Sequence, residues 1–86
     1  MYQVIIPKRI ERQLDKLPKP VIKKVSQILL KLENNPWQPD SIKLLGYEQT
    51  WRININHLYR LYYDINEENK TILVLTIVMM KNPQIE

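Results

Sequence analysis

Apolar and polar residues alternate with a period of two along residues 51–64. Because successive side chains of a β-strand point to opposite faces, this pattern predicts two strands joined by a short turn. One face carries Trp51, Ile53, Ile55, Tyr59, Leu61 and Tyr63. The other face carries Arg52, Asn54 and Asn56 and, after the turn, Arg60, Tyr62 and Asp64. If the apolar face covers a core, Arg52 and Arg60 emerge together on an open, cationic sheet face.

Two helices are predicted between Pro7 and Pro36, because apolar residues recur there every three to four positions. Pro18 and Pro20 end the first helix and begin the second. The apolar stripe of the second helix comprises Val21, Ile22, Val25, Ile28, Leu29 and Leu32. Since the connection between the helices is very short, we expect an antiparallel helical hairpin.

The remaining apolar runs predict strands. Residues 2–6 form a short first strand, and residues 43–45 a short strand piece after the helices. The nearly continuous apolar run over residues 71–80 predicts a central strand that is buried on both faces. Helices grouped beside strands indicate the α+β class. The predicted fold is an N-terminal strand, an antiparallel helical hairpin and a mainly antiparallel sheet of three to four strands, with the helices on one sheet face.

Length and composition limit the classes of function. The chain has 86 residues, and a single domain over residues 1–86 is predicted. It has no cysteine, one histidine and one glycine, which excludes thiolate or multi-histidine metal sites and glycine-rich phosphate loops. No apolar run approaches the roughly 18 residues of a membrane span, and no export leader is recognised, so a cytoplasmic protein without membrane contact is predicted. The net charge of +4 fits a polyanionic partner as well as an ordinary surface.

Five segments, in this order and spacing, resemble the RelE/ParE superfamily of toxins from bacterial toxin–antitoxin systems. They are QLDKLP at residues 13–18, LENNP at 32–36, KLLG at 43–46, WRI at 51–53 and YRLYY at 59–63. The resemblance covers nearly the whole chain. It implies the RelE-like microbial ribonuclease fold and a cognate antitoxin protein that wraps the toxin in a hetero-oligomer.

The superfamily has two activities. RelE-type members are metal-independent endoribonucleases that cut messenger RNA in the ribosomal A site and so inhibit translation, whereas ParE-type members poison DNA gyrase. The Trp-Arg and Tyr-Arg strand pair favours the ribonuclease, with the ribosome and messenger RNA as partners and no metal or cofactor. Three alternatives stay open: a non-enzymatic ParE-like gyrase inhibitor, a catalytically decayed toxin that retains antitoxin binding, and a generic RNA-binding module.

Metal-independent RNA cleavage uses the 2′-hydroxyl as nucleophile, and it needs a base, an acid and cations for the phosphate. Arg60 matches the strand arginine of RelE-type toxins, so the resemblance implies that it holds the scissile phosphate through its planar fork. Arg52 matches a basic position on the preceding strand and would assist. Lys81 is the candidate cation of the C-terminal segment, and His57 is an acid–base candidate because histidine exchanges protons near neutral pH.

Other side chains are candidates for RNA binding. Tyr62 shares the predicted open face and could stack on a base. Further RNA contacts are predicted for Asn54, Lys43, Lys23 and Lys24. The chain departs from the RelE pattern at two positions: Asn54 stands where the family often has a second basic residue, and Met80 stands at the usual arginine position with no tyrosine after it. These departures favour the non-enzymatic alternative.

Overall fold

The structure is a computed structural model that describes residues 1–80. Its strands are β1 (Gln3–Ile5), β2 (Ile42–Lys43), β3 (Thr50–Ile55), β4 (Tyr59–Asn66) and β5 (Thr71–Met79), and its helices are α1 (Lys8–Asp15) and α2 (Lys19–Asn34). The five strands form one sheet in the order β1-β5-β4-β3-β2. β1 is parallel to β5, and all other neighbours are antiparallel. The predicted α+β class, with an N-terminal strand, two helices and a mainly antiparallel sheet, is confirmed.

Prolines mark the start of both helices. Pro7 precedes α1 with φ −60° and ψ 152°, and Pro18 precedes α2 with φ −57° and ψ 145°. These extended residues turn the chain into each helix, and Pro20 lies within the first turn of α2, where a missing N–H removes no helical hydrogen bond. Only residues 16–18 separate the helices.

Both helices pack on one face of the sheet. α1 contacts β5, and α2 contacts β1 and β3. The buried core comprises Ile10, Val21, Val25, Ile28 and Leu32 from the helices and Ile53, Ile55, Tyr59, Leu61, Tyr63, Ile65, Ile72, Val74 and Ile77 from the strands. The predicted stripe of α2 is confirmed, although its members Ile22 and Leu29 are only partly buried. Burial of each large apolar side chain contributes about 1.5–3 kcal/mol, so this face provides most of the stability.

The strand β5 shows where the sequence interpretation was wrong. It lies between β1 and β4, which confirms its central position. Ile72, Val74 and Ile77 are buried on the helix side, but Val78 on the opposite face is 41% exposed. Burial on both faces was therefore a wrong prediction, because α1 and α2 pack on the same side of the sheet and leave the other side open.

Aromatic side chains fix the loop that follows α2. The hydroxyl of Tyr63 donates a hydrogen bond to the carbonyl of Pro36 over 3.2 Å, in the buried interior. Burial raises the pKa of Tyr63 to about 12. Trp37 packs edge-on against Tyr2, with 5.9 Å between ring centroids. These contacts tie β4 and the N-terminal strand to the proline-containing loop.

Candidate functional site

Three register pairs place polar side chains on the open face of the β3–β4 hairpin. They are Thr50 with Asp64, Arg52 with Tyr62, and Asn54 with Arg60. Directly opposite residues of an antiparallel pair share a face, with Cβ atoms about 4.5–5.5 Å apart. Arg52 and Arg60 occupy neighbouring pairs on that face, so their predicted placement on one open surface is confirmed.

Arg60 is held by its cross-strand partner. Its Nε donates a hydrogen bond to Oδ1 of Asn54 over 3.1 Å. A guanidinium has five N–H donors, so the four on the two Nη groups remain for other acceptors. Asn54 is exposed and Arg60 is partly exposed, which makes the pair accessible from solvent. The arrangement suits a phosphate group, because two parallel N–H donors match two phosphate oxygens.

The three register pairs on the open face form a polar row, and its end farthest from the hairpin turn carries a negative charge on Asp64. The hydroxyl of Thr50 donates a hydrogen bond to Oδ1 of Asp64. Thr50 is only 7% exposed, so this bond is shielded more than the Asn54–Arg60 bond. Asp64 is four residues from Arg60, a distance of about 13 Å along a strand. The cationic end of the face therefore lies towards the hairpin turn, and the acidic end lies towards the start of β3.

The strand β5 adds two residues that the sequence interpretation missed. Thr76 is the register partner of Tyr62, and Val78 is the partner of Arg60. A register shift between Tyr62 and Tyr63 leaves Leu75 as the extra residue of a β-bulge. The polar Thr76 within an apolar run was a signal that this residue faces outwards. The bulge, however, breaks the strict alternation that would have identified its neighbours.

His57 lies in the hairpin turn, at the cationic end of the face. Asn56 and His57 have φ values of 55° and 62°, and the amide of Leu58 donates to the carbonyl of Ile55 over 3.2 Å. Two consecutive positive φ values are those of the type I′ turn that matches the twist of a hairpin. His57 is exposed and three residues from Arg60. Its acid–base role stays a prediction.

The three predicted RNA-binding lysines lie away from the two arginines. Lys43 is the register partner of Trp51, so it has the helix-side orientation and not that of Arg52. Lys23 and Lys24 are exposed on α2, in the helical layer. They could contact RNA only on another surface. Lys81 lies outside the described residues.

Met80, which the resemblance predicts to stand at the usual arginine position of RelE-type toxins, is the last residue that the structure describes. Its amide donates a hydrogen bond to the carbonyl of Leu58 over 2.8 Å. The chain therefore approaches the hairpin turn at Met80, on the side of the sheet where β5 adjoins β4. The predicted departure from the RelE pattern therefore lies near Arg60, whose register partner Val78 is two residues before Met80.

A concave apolar surface lies elsewhere, between β1 and α2. This open groove has a volume of about 380 Å³ and is lined by Val4, Ile6, Ser26, Leu29, Leu30 and Glu33. Val4 pairs with the buried Ile72, which places this groove on the helix side of the sheet. It is therefore separate from the arginine-bearing face. Within residues 1–80, no group of three or more His, Cys, Asp or Glu side chains could hold a metal ion.

Comparisons with known proteins agree with this architecture. The family model of the ParE toxin of type II toxin–antitoxin systems matches residues 4–81. Comparison with curated proteins gives no sequence match. Over the described part of the chain, no helix has the length and apolar character needed to cross a membrane.

Several solved structures share the fold. RelE in the archaeal RelE–RelB complex of Pyrococcus horikoshii is 28% identical, with a TM-score of 0.83 over 94% of this chain and 97% of that chain. The RelBE2 toxin–antitoxin complex of Mycobacterium tuberculosis gives 25% identity and a TM-score of 0.77 over 92% of this chain and 98% of that chain. The isolated RelE toxin of E. coli is 20% identical, with a TM-score of 0.84 over 95% and 87% of the two chains, which shows likeness of fold alone.

Proposed function

The chain belongs to the ParE toxin family and is a toxin of a toxin–antitoxin system, and we propose that it acts as a metal-independent messenger-RNA endoribonuclease on the ribosome. The observation that carries this proposal is the pairing of Asn54 with Arg60 beside the pairing of Arg52 with Tyr62 on the open sheet face. Two partly exposed guanidinium groups and a partly exposed aromatic ring on the open sheet face suit the phosphates and bases of a single RNA strand.

The proposed chemistry assigns a role to each side chain. The 2′-hydroxyl gives its proton to a base and its oxygen attacks the adjacent phosphorus. The P–O5′ bond then breaks, which leaves a 2′,3′-cyclic phosphate on one fragment and a 5′-oxygen that takes up a proton on the other. Negative charge accumulates on the non-bridging oxygens during this step. Arg60 stabilises that charge through its Nη donors, and Arg52 binds the neighbouring phosphate or assists at the same one. Tyr62 stacks on a base next to the cleaved bond. His57, at the turn, is the proposed proton-transfer group, and Lys81 is a further cation.

A second function is favoured by two observations. The matching family model is that of the ParE toxin, and ParE-type members of the superfamily act on DNA gyrase without cleaving RNA. Met80 at the usual arginine position supports the same reading. In this case the open face would serve in protein contact, and the arginines would have no catalytic role.

The proposed partners follow from the relatives. The similar solved structures include the RelE–RelB complex of Pyrococcus horikoshii and the toxin–antitoxin complex RelBE2 of Mycobacterium tuberculosis. We propose that this chain likewise forms a hetero-oligomer with a cognate antitoxin, that its targets are the ribosome and messenger RNA, and that it acts in the cytoplasm without a cofactor. We also propose that residues 1–86 form one toxin domain.

The test compares purified wild-type protein with Arg60→Ala and Arg60→Lys on ribosomes programmed with a defined messenger RNA. Primer extension locates cuts, and a parallel DNA-supercoiling assay measures gyrase inhibition. We expect wild-type cuts at codon-spaced positions and a rate reduced about 10²- to 10³-fold in Arg60→Ala, because a donor to the developing charge is lost. Arg60→Lys should retain more activity, since it keeps the charge but loses the fork.

Arg12→Ala is the matched control. It removes the same side chain from an exposed position on α1, in the helical layer, and its cleavage rate should equal that of the wild type. Gyrase inhibition without RNA cuts would reject the ribonuclease and support the second function. Equal cutting by wild type and Arg60→Ala would also refute the proposed centre.

A further inference from the structure

The exposed Asn54 is the acceptor that holds Arg60 in place. The two residues are directly opposite in the ladder, and the Nε of Arg60 lies 3.1 Å from Oδ1 of Asn54. We propose that Asn54 is a positioning residue that directs the two Nη groups of Arg60 towards a phosphate. The inference rests on the proposed phosphate site, but it concerns the residue that the family pattern would have made a second cation.

The hydrogen-bond geometry decides which edge of the guanidinium is available. A phosphate can be bound through Nε and one Nη, or end-on through both Nη groups. Because Asn54 engages the Nε–H, the end-on mode remains, with two parallel donors of equal kind. An oriented guanidinium needs less reorganisation when the phosphate arrives, which favours both binding and charge stabilisation.

The surroundings of Arg60 explain why Asn54 has this role. On the other side of Arg60 the register partner is Val78, whose side chain has no hydrogen-bond acceptor. Asp64, the carboxylate of this face on β4, accepts a hydrogen bond from Thr50 at the far end of the polar row. Asn54 is thus the cross-strand group that can orient Arg60 without adding charge.

The neutrality of the amide has a chemical reason. An aspartate at this position would also accept from Nε, but its negative charge would cancel the charge that attracts phosphate. A lysine would add charge but would repel Arg60 and offer no acceptor. Asparagine supplies the acceptor and preserves the full positive charge of Arg60 for the ligand.

The test separates orientation from charge with Asn54→Ala and Asn54→Asp. The first readout is the NMR signal of the Arg60 Nε–H and its hydrogen exchange in the protein alone. The second is the affinity for a 2′-O-methyl RNA oligonucleotide, which cannot be cleaved through its 2′-oxygen. The third is the ribosomal cleavage rate. Gln27→Glu is the control for Asn54→Asp, since it makes the same amide-to-carboxylate change at an exposed position on α2.

We expect Asn54→Ala to speed exchange of the Arg60 Nε–H and to lower the cleavage rate about 10- to 100-fold, because the reacting groups lose their alignment. Asn54→Asp should keep the slow exchange but lose RNA affinity and flatten its salt dependence, as expected when one cationic contact is neutralised. Gln27→Glu should change neither exchange nor affinity. This split between exchange and affinity would not arise from a purely structural role.

Each outcome decides a different question. If the wild type cleaves RNA and Asn54→Ala matches it in affinity and rate, the positioning role is wrong and the ribonuclease stands. If no variant cleaves RNA but affinity and exchange change as expected, the ribonuclease is wrong and the positioning role stands. If the Arg60 Nε–H exchanges as fast in the wild type as in Asn54→Ala, the positioning role is wrong. If Arg60→Ala leaves the RNA affinity unchanged, both the positioning role and the proposed ribonuclease site are wrong.

Discussion

Replacement of Tyr63 by phenylalanine tests how β4 is anchored beneath the open face. Tyr63 is fully buried, and its hydroxyl donates to the carbonyl of the buried Pro36 over 3.2 Å. Tyr63→Phe removes the donor and leaves that carbonyl without its partner, which typically costs about 1–3 kcal/mol of unfolding free energy. For a domain of this size, a loss of 2 kcal/mol lowers Tm by roughly 8–16 °C.

The same hydroxyl makes stability depend on pH. Burial is the main cause that raises the pKa of Tyr63 to about 12; the Asp40 carboxylate acts in the same direction, and the Ser41 hydroxyl opposes it. A folded-state pKa above the unfolded value of about 10 stabilises the protein below pH 10, and this contribution is lost as the pH rises towards 12. By pH 11 the wild type should lose about 1 kcal/mol from this group, whereas Tyr63→Phe loses nothing from it.

Urea unfolding of both proteins between pH 7 and pH 11 measures the effect. The stability difference should be largest at pH 7 and should shrink above pH 10. Tyr62→Phe is the control, because it removes the same hydroxyl from the adjacent, partly exposed residue on the open face; its stability should stay within about 0.5 kcal/mol of the wild type. A difference between Tyr63→Phe and the wild type that is constant with pH, or below that level at pH 7, would refute the reasoning.

Three further predictions concern the two faces of the sheet. Tyr62→Ala should weaken binding of a single-stranded RNA oligonucleotide by about 1–3 kcal/mol with an unchanged urea midpoint, as fluorescence titration and urea unfolding can check; equal RNA affinity would contradict stacking. Leu61→Ala should lower the unfolding free energy, measured by urea unfolding, by about 2–5 kcal/mol, because Leu61 is fully buried. A loss below about 1 kcal/mol would contradict this prediction, since it would mean that neighbouring side chains fill the space that Leu61 leaves. Arg52→Ala should remove one phosphate contact, which would make the slope of log affinity against log salt concentration shallower by about 0.7 for a single strand. An unchanged slope would show that Arg52 does not contact the RNA.

Sequence reasoning was most successful where one local period decides the structure. Alternation along residues 51–64 identified which side chains of β3 and β4 share a face, because the side-chain period of a strand is a local property. The stripe of α2 was recognised for the same reason, since one face of a helix must be apolar to pack against a sheet. The resemblance to the toxin superfamily then supplied the class of function, which periodicity alone does not contain.

Reasoning from local patterns failed where pairing between distant strands decides the outcome. An apolar run such as residues 71–80 has the same sequence pattern in a strand buried on one face and in a strand buried on both faces. Val78 is exposed because α1 and α2 pack on one side of the sheet only. Thr76 reaches Tyr62 because a bulge shifts the register of β5. Lys43 faces away from Arg52 because its partner is Trp51, and a shift of one residue would reverse that.

By itself, therefore, the sequence determined the class of fold, the shared face of Arg52 and Arg60, and the toxin superfamily. The tertiary structure alone decided that Asn54 holds Arg60, that Thr76 and Val78 complete the open face, and that three lysines lie outside it. The physical reason is the range of the interactions. Side-chain direction is set by neighbouring backbone dihedrals, whereas the partner of a side chain is set by hydrogen-bond register between strands that are distant in the chain.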